Sequence, residues 1–195
     1  MKYLLGFILF FIIVLFNFRI IAYDIDFYEK ESGNLENKKE ILSNLLNYFK
    51  DEEEINNNYY SEKEKLHLFD VKKIIDRTIY FSYILSMVFI LLMTKFYRNF
   101  EKVFIYCGIF AGIFLAIAFF SDFNSLFYLF HVVSFDNNYW MLNEESTLIR
   151  LFPEEFFYMA FKKIIFRSFF ASFILSCIGF LYLHRENIRK VFKEA

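Results

Sequence analysis

Proline occurs once in 195 residues, glycine five times and cysteine twice. So little proline and glycine excludes collagen-like, linker-like and low-complexity chains, and no repeat of fixed period runs through the sequence. Cys107 and Cys177 both fall inside apolar runs, which suits small core residues better than a disulfide framework or a thiol nucleophile. No G-x-S-x-G is present and no serine has a visible base beside it, so a covalent serine hydrolase is disfavoured. A glycine-rich phosphate loop is also missing. Basic residues do interleave with aromatics, but most of those aromatics belong to long apolar runs, so a nucleic-acid partner has no support.

What is abundant is apolar: 57% of the chain, with 24% aromatic residues and 31 phenylalanines. That composition belongs to a membrane protein. Four runs approach the roughly 20 helical residues that cross a hydrocarbon core of about 30 Å: 3–22, 79–94, 103–120 and 164–183. The second is short and borrows length from its flanks; the fourth contains Arg167, which must snorkel or find a partner. Lys2 precedes the first run, but no small-x-small cleavage site follows and Arg19 interrupts the exit, so an uncleaved signal anchor is expected.

The net charge of −1 matters less than where the charges lie. Lys95, Arg98 and Lys102 fill the turn between the second and third runs, and Arg185, Arg189, Lys190 and Lys193 follow the fourth. The positive-inside rule puts both clusters in the cytoplasm, against Lys162 and Lys163 at the other end of the fourth run. The expected fold is therefore an all-α integral membrane protein, a single membrane domain over 1–195. It has four transmembrane helices, cytoplasmic termini, and two extracellular helical segments at about 23–78 and 121–163.

In the first segment Ile41, Leu42, Leu45, Leu46 and Phe49 follow a helical period, predicting an amphipathic helix able to lie on the outer leaflet. DEEEINNN breaks it, and Ser61 with Glu64 forms a capping box that starts a helix through KLHLFDVKKI. His67, Asp70, Val71 and Ile74 share a stripe on that helix. The second segment opens with SDFNSLFYLFHVVSFDNNYW, too short and too polar at its ends to span, which suits an interfacial or re-entrant piece. Tyr128, Tyr139 and Trp140 are rings expected at headgroup depth. Pro153, Glu154 and Glu155 mark a helix start leading into the fourth run.

Of the three histidines, His184 sits beside Arg185 as interfacial filler, whereas His67 and His131 occupy the two external segments, each near a span end. Glu64, His67, Asp70, His131 and Glu154 offer a set of metal donors, but their spacing matches no named zinc motif. No metal and no cofactor is expected.

KLHLFDVKK, then FHVVSFDNNYWML, then LIRLFPEEFF, in this order, resemble the small four-span lipoprotein intramolecular transacylases of low-GC Gram-positive bacteria. The resemblance runs from the NLLNYF helix through the fourth span. It implies a membrane acyltransferase, in the cell membrane with its active site at the extracellular face. Its partners are a diacylated lipoprotein and membrane lipids, and it moves the sn-2 acyl chain of a diacylglyceryl-cysteine to the α-amino group of the same cysteine. The family's two histidines match His67 and His131. The sequence departs from the family at Asn143-Glu144-Glu145, where an acidic-Pro turn is expected, and around Met159, where an acid is expected.

The residues agree with that chemistry. The amine must lose a proton, and an imidazole of reference pKa about 6.5 can accept it near neutral pH. Asp70, one turn from His67, can orient the imidazole or pair with Lys73 instead; Trp140 can shape a pocket or belong to the interfacial belt; Glu154 is a third supporting residue. Two rival readings stand beside this one: a non-catalytic membrane subunit or assembly factor that binds a partner through its external segments, and a metal-dependent hydrolase.

Overall fold

Helices account for all the regular structure in the computed structural model, which describes residues 1–96 and 99–194, those from 186 on by backbone alone; no β-strand occurs among them. Arg98, Arg189, Lys190 and Lys193, used above for orientation, therefore lie outside the described side chains. The elements are α1 (Lys2–Ala22), α2 (Ile25–Glu31), α3 (Lys38–Phe49), α4 (Glu62–Phe96), α5 (Phe100–Phe120), α6 (Phe123–Ser134), α7 (Thr147–Leu151) and α8 (Glu154–Glu194). Four of them, α1, α4, α5 and α8, are long and apolar enough to cross a membrane. The second and fourth apolar runs are thus parts of longer helices: α4 continues unbroken from the capping box, and α8 from the acids after Pro153. Nothing between Glu62 and Phe96 interrupts the hydrogen-bond ladder, because that stretch holds no proline or glycine.

The chain divides into two compact units. One comprises Met1–Phe18, Ile79–Phe120 and the chain from Ile164 onward; the other comprises Arg19–Thr78 and Ser121–Lys163.

In the first unit, Phe10 of α1 and Cys107 and Ala111 of α5 form a buried cluster flanked by Leu9, Ile13, Val14, Phe110, Phe114 and Phe169. Close approach of α5 and α8 depends on glycine: a Cβ on Gly108 would lie 2.5 Å from the Ser176 Cβ, and one on Gly179 2.5 Å from the Glu101 carbonyl oxygen. Cys107 is buried as expected, but Cys177 is exposed. An apolar run is helical all round, so inclusion in it does not select the face that meets protein.

In the second unit the α3 stripe is not spread on a leaflet. Ile41, Leu42, Leu45, Leu46 and Phe49 are all buried, the least covered at 5% exposure, and form its protein core. An amphipathic period reports only that one face is covered, not by what. The unpredicted α2 is capped by Asp24, whose Oδ1 accepts from the Phe27 N–H at 3.0 Å. Lys38 at the start of α3 donates to the Glu29 and Ser32 carbonyls, closing the C-terminal end of α2. Gly33 then donates its N–H to the Leu151 carbonyl at 2.8 Å. Phe27, Tyr28, Phe152 and Phe156 pack ring on ring nearby, with centroids 4.8 to 5.6 Å apart.

Candidate active site

The capping box at the start of α4 forms as predicted. The Ser61 N–H and hydroxyl donate to one oxygen of Glu64 at 2.8 and 2.7 Å, and the Glu64 N–H reaches back to the Ser61 oxygen. The other Glu64 oxygen accepts the Leu148 N–H, in the first turn of α7, at 2.9 Å. A buried carboxylate thereby satisfies orphan donors at two helix starts. One residue earlier, Lys63 donates to the Met141 carbonyl; two turns on, Asp70 accepts from the Asn137 side chain at 2.8 Å. Three ties therefore hold the first turns of α4 against the chain that follows α6, and His67 lies between them.

The deepest stripe of α4 here is Glu64, Leu68 and Ile75, each at 5% exposure or less. His67, Asp70, Val71 and Ile74 flank it and are half-buried rather than inward. A helix turns 100° per residue, so positions one apart from the buried line sit at its edge. That edge suits a reactive group better than the core does, since a substrate can reach it.

α6 starts where Asp122 caps it, its side chain accepting from the Ser125 N–H at 2.8 Å. His131 falls near its end, and its Nδ1 lies 2.7 Å from the Phe127 carbonyl oxygen. A carbonyl only accepts, so Nδ1 carries the proton, and in the neutral ring the lone pair is on Nε2. Phe135 closes the helix with its N–H on the His131 carbonyl. Asn137 then makes an Asx turn, its Oδ1 accepting from the Tyr139 N–H at 2.9 Å, and delivers Trp140.

The two imidazoles meet with centroids 6.3 Å apart and planes at 27°. Phe135, buried, packs against both, at 5.0 Å from His67 and 5.6 Å from His131. Phe127 at 4.4 Å and Trp140 at 5.1 Å complete the aromatic surround of His131. Burial, together with the facing His131, pushes the His67 pKa down to about 4, against a smaller opposing pull from Asp70. Burial also lowers His131, opposed by its bond to the Phe127 carbonyl. The His67 Nδ1 is buried without a hydrogen-bond partner. Two neutral rings, one with a defined free lone pair and the other with an unsatisfied nitrogen, make a site suited to moving a proton and an acyl group.

The family model for "Lipoprotein intramolecular transacylase Lit" matches residues 3–157. The chain belongs to this family. An uncharacterized protein of Aquifex aeolicus is 31% identical over 125 residues, 63% of this chain, so the match spans 57% of that relative's length. The solved structure of the membrane-integral lipoprotein intramolecular transacylase Lit from Bacillus cereus superposes with a TM-score of 0.71 at 21% identity, covering 96% of this chain and 98% of that one. A variant of the same enzyme with one histidine changed to alanine gives 0.64 at 19% identity, with 96% of each chain covered. At such identities the likeness shows the fold. Family and apolar helices together make the chain a multi-pass membrane protein of the Lit family.

Of the residues singled out from sequence, the fold brings His67, His131 and Trp140 together. Asp70 stands beside them, engaged by Asn137 and, at 3.6 Å, by Lys73, while the His67 Nδ1 has no partner. Glu154 is exposed in the first turn of α8 and has no bond to either histidine. Glu64 is committed to backbone donors, and no group of three or more metal-binding side chains is assembled among the described residues. Phe135, Phe127 and Asn137 join the site without standing out in the sequence. The only signals for them were the four-residue spacing of Phe127 and Phe135 from His131 and the Asn-Asn turn before Tyr-Trp.

Proposed function

We propose that this Lit-family protein is a lipoprotein intramolecular transacylase that transfers the sn-2 acyl chain of a diacylglyceryl-cysteine to the α-amino group of that cysteine. The observation that carries the proposal is the facing pair His67 and His131, two neutral imidazoles from separate segments sharing one aromatic wall. His131 Nε2 takes the proton of the α-amine, whose reference pKa of about 7.7–8.0 leaves it largely protonated at neutral pH. The Phe127 carbonyl favours the imidazolium that forms.

The freed amine attacks the ester carbonyl. A C–N bond forms and the sn-2 C–O bond breaks; of the two protons the ammonium nitrogen gives up, the first leaves His131 for solvent before attack and the second passes through His131 to the departing glyceryl oxygen. The product is an amide and a lyso-glyceryl hydroxyl, with no water or cofactor consumed. His67, the second imidazole, donates its N–H to the oxygen that gains charge in the tetrahedral intermediate. Ester and amine belong to one substrate, so orientation does most of the work; effective molarities of about 10⁵–10⁸ M are typical of such arrangements. Trp140 and Phe135 hold the imidazoles and exclude water, Asp70 fixes the Asn137 turn that presents Trp140, and Glu154 acts through the start of α8. The site faces the extracellular side, with both chain termini in the cytoplasm.

The test is expression in a Gram-positive host lacking the activity, followed by mass spectrometry of a lipoprotein's N-terminal lipopeptide. An N-acylated, monoacylglyceryl peptide is expected. A free amine with both chains still on the glyceryl oxygens, in cells holding well-folded protein, overturns the proposal.

A further inference from the structure

Arg167 lies in an apolar stretch, IIFRSFFASF, where a permanent charge needs a counter-charge or a route to water. It has a partner, but a neutral one: its Nε donates to the Asn17 Oδ1 at 3.2 Å. Asn17 is 8% exposed and fully committed, its Nδ2 donating to the Ile13 carbonyl at 2.9 Å and to the hydroxyl of buried Ser168 at 3.2 Å. The Ile13 carbonyl can only accept, so the amide cannot flip, and Oδ1 is held toward α8. The guanidinium is thus fixed through its Nε edge.

No other hydrogen bond of Arg167 occurs among the described residues, so the end-on fork of Nη1 and Nη2 keeps its N–H donors. Arg167 takes part in none of the ion pairs seen among the described residues. The residue is exposed, and Phe166 and Phe170 beside it on α8 are 48% and 58% exposed. Arg167 stands three residues inside the apolar run that starts at Ile164, about 4.5 Å at the helical rise, and Asn17 stands five before the end of α1, about 7.5 Å. Asn17 falls within, and Arg167 just above, the zone roughly 5–10 Å deep where headgroups meet acyl chains. A planar fork with two parallel N–H donors pairs bidentately with carboxylate or phosphate, and at that depth the anion at hand is the lipid's.

We propose that Arg167, held by Asn17, binds the phosphodiester of a membrane glycerophospholipid through its free Nη1/Nη2 fork, with the lipid's chains against Phe166 and Phe170. One lipid then completes the polar cluster between α1 and α8. The proposal does not depend on the acyl-transfer reading, and its readout is lipid retention.

The experiment is native mass spectrometry of the full chain in maltoside micelles, titrated with phosphatidylglycerol, with the diacylglycerol of the same chains, and with inorganic phosphate. One phosphatidylglycerol is expected to remain bound, with diacylglycerol roughly tenfold weaker or worse, as for loss of one charge-assisted pair. Inorganic phosphate is expected not to bind; if it binds as well as the lipid, the site is a free-phosphate site and the lipid assignment fails. Arg167→Gln is expected to lose the same factor. Should it fail to fold by circular dichroism, Asn17→Asp decides: a carboxylate there neutralises the fork internally, so phospholipid affinity falls roughly tenfold with helix content unchanged. Equal phospholipid affinity in wild type and Asn17→Asp, or equal binding of phospholipid and diacylglycerol, overturns the proposal.

Discussion

The two compact units draw on the same apolar residues for opposite ends. In the spanning unit most of the apolar surface faces outward: Phe119, Phe120 and Leu181 are 80%, 85% and 67% exposed. Lipid tails are as apolar as these side chains, so the hydrophobic effect does not hold the helices to each other. Contact there comes from small residues such as Gly108 and Gly179 and from the polar bonds of Asn17 and Ser168. In the unit that carries His67 and His131, α3 places a whole apolar stripe in the protein interior, where burial of each large side chain stabilises by about 1.5–3 kcal/mol. Continuous apolar length goes with solvation by lipid, and interrupted period with a protein core.

The sharpest break of this contrast is chemical. His131→Ala and His67→Ala are each expected to cut acyl transfer by about 10²–10⁴-fold, read from lipopeptide mass spectra, while leaving thermal unfolding of the spanning unit unchanged. A variant with full transfer removes the imidazole mechanism and leaves the family assignment standing.

Packing comes next. Leu45→Ala, at a position 1% exposed, is expected to destabilise by about 2–5 kcal/mol, whereas Ile90→Ala, 61% exposed in the spanning unit, stays within about 0.5 kcal/mol. Unfolding of both variants in the same detergent makes the comparison. Backbone contact sharpens it further: a Cβ on Gly33 would lie 1.9 Å from the Arg150 carbonyl oxygen, while one on Gly112 meets nothing within 4 Å. Gly33→Ala is therefore expected to cost about 1–3 kcal/mol, and Gly112→Ala to be neutral or stabilising.

Acid acts on the second unit through His67. With its folded pKa at about 4, below a reference of about 6.5, His67 takes up a proton in the unfolded chain first as pH falls. Stability is thus full above about pH 6.5, declines as pH drops toward 4 and levels off below; His131 adds in the same direction. His131 and Asp70 are the titratable groups that act on His67 there, and His67→Gln is expected to flatten the melting profile across that window. The smallest effect is reserved for the Asn137 turn. Losing its bond to Asp70 removes about 0.5–1.5 kcal/mol, so Asn137→Ala is expected to slow transfer less than about tenfold.

Much of this was legible in the chain. The capping box of Ser61 and Glu64, the helix start after Pro153 and the α3 period all rest on contacts within one turn or two, and each formed. Glu64, one of the donors a metal site would draw on, holds backbone N–H groups instead, and its second partner, Leu148, lies too far along the chain for spacing to show it. Likewise the face of α4 could be located only to within one residue, since the edge of a stripe depends on what packs against it. Asp70 offered two partners from sequence, His67 and Lys73; Asn137, which supplies its hydrogen bond, was not among them.

The sequence by itself determined an all-helical membrane protein with four spans, and it marked two histidines in separate segments. Apolar length, period and capping chemistry are local properties, and local properties survive in one dimension. The tertiary structure alone decided that His67 and His131 face each other across Phe135, that the Phe127 carbonyl holds the proton on His131 Nδ1 and so frees Nε2, and that Arg167 pairs with a neutral amide. The facing pair and the Arg167–Asn17 bond join residues far apart in the chain, which no spacing encodes, and the tautomer depends on the rotamer that turns the His131 ring back onto a carbonyl one turn away.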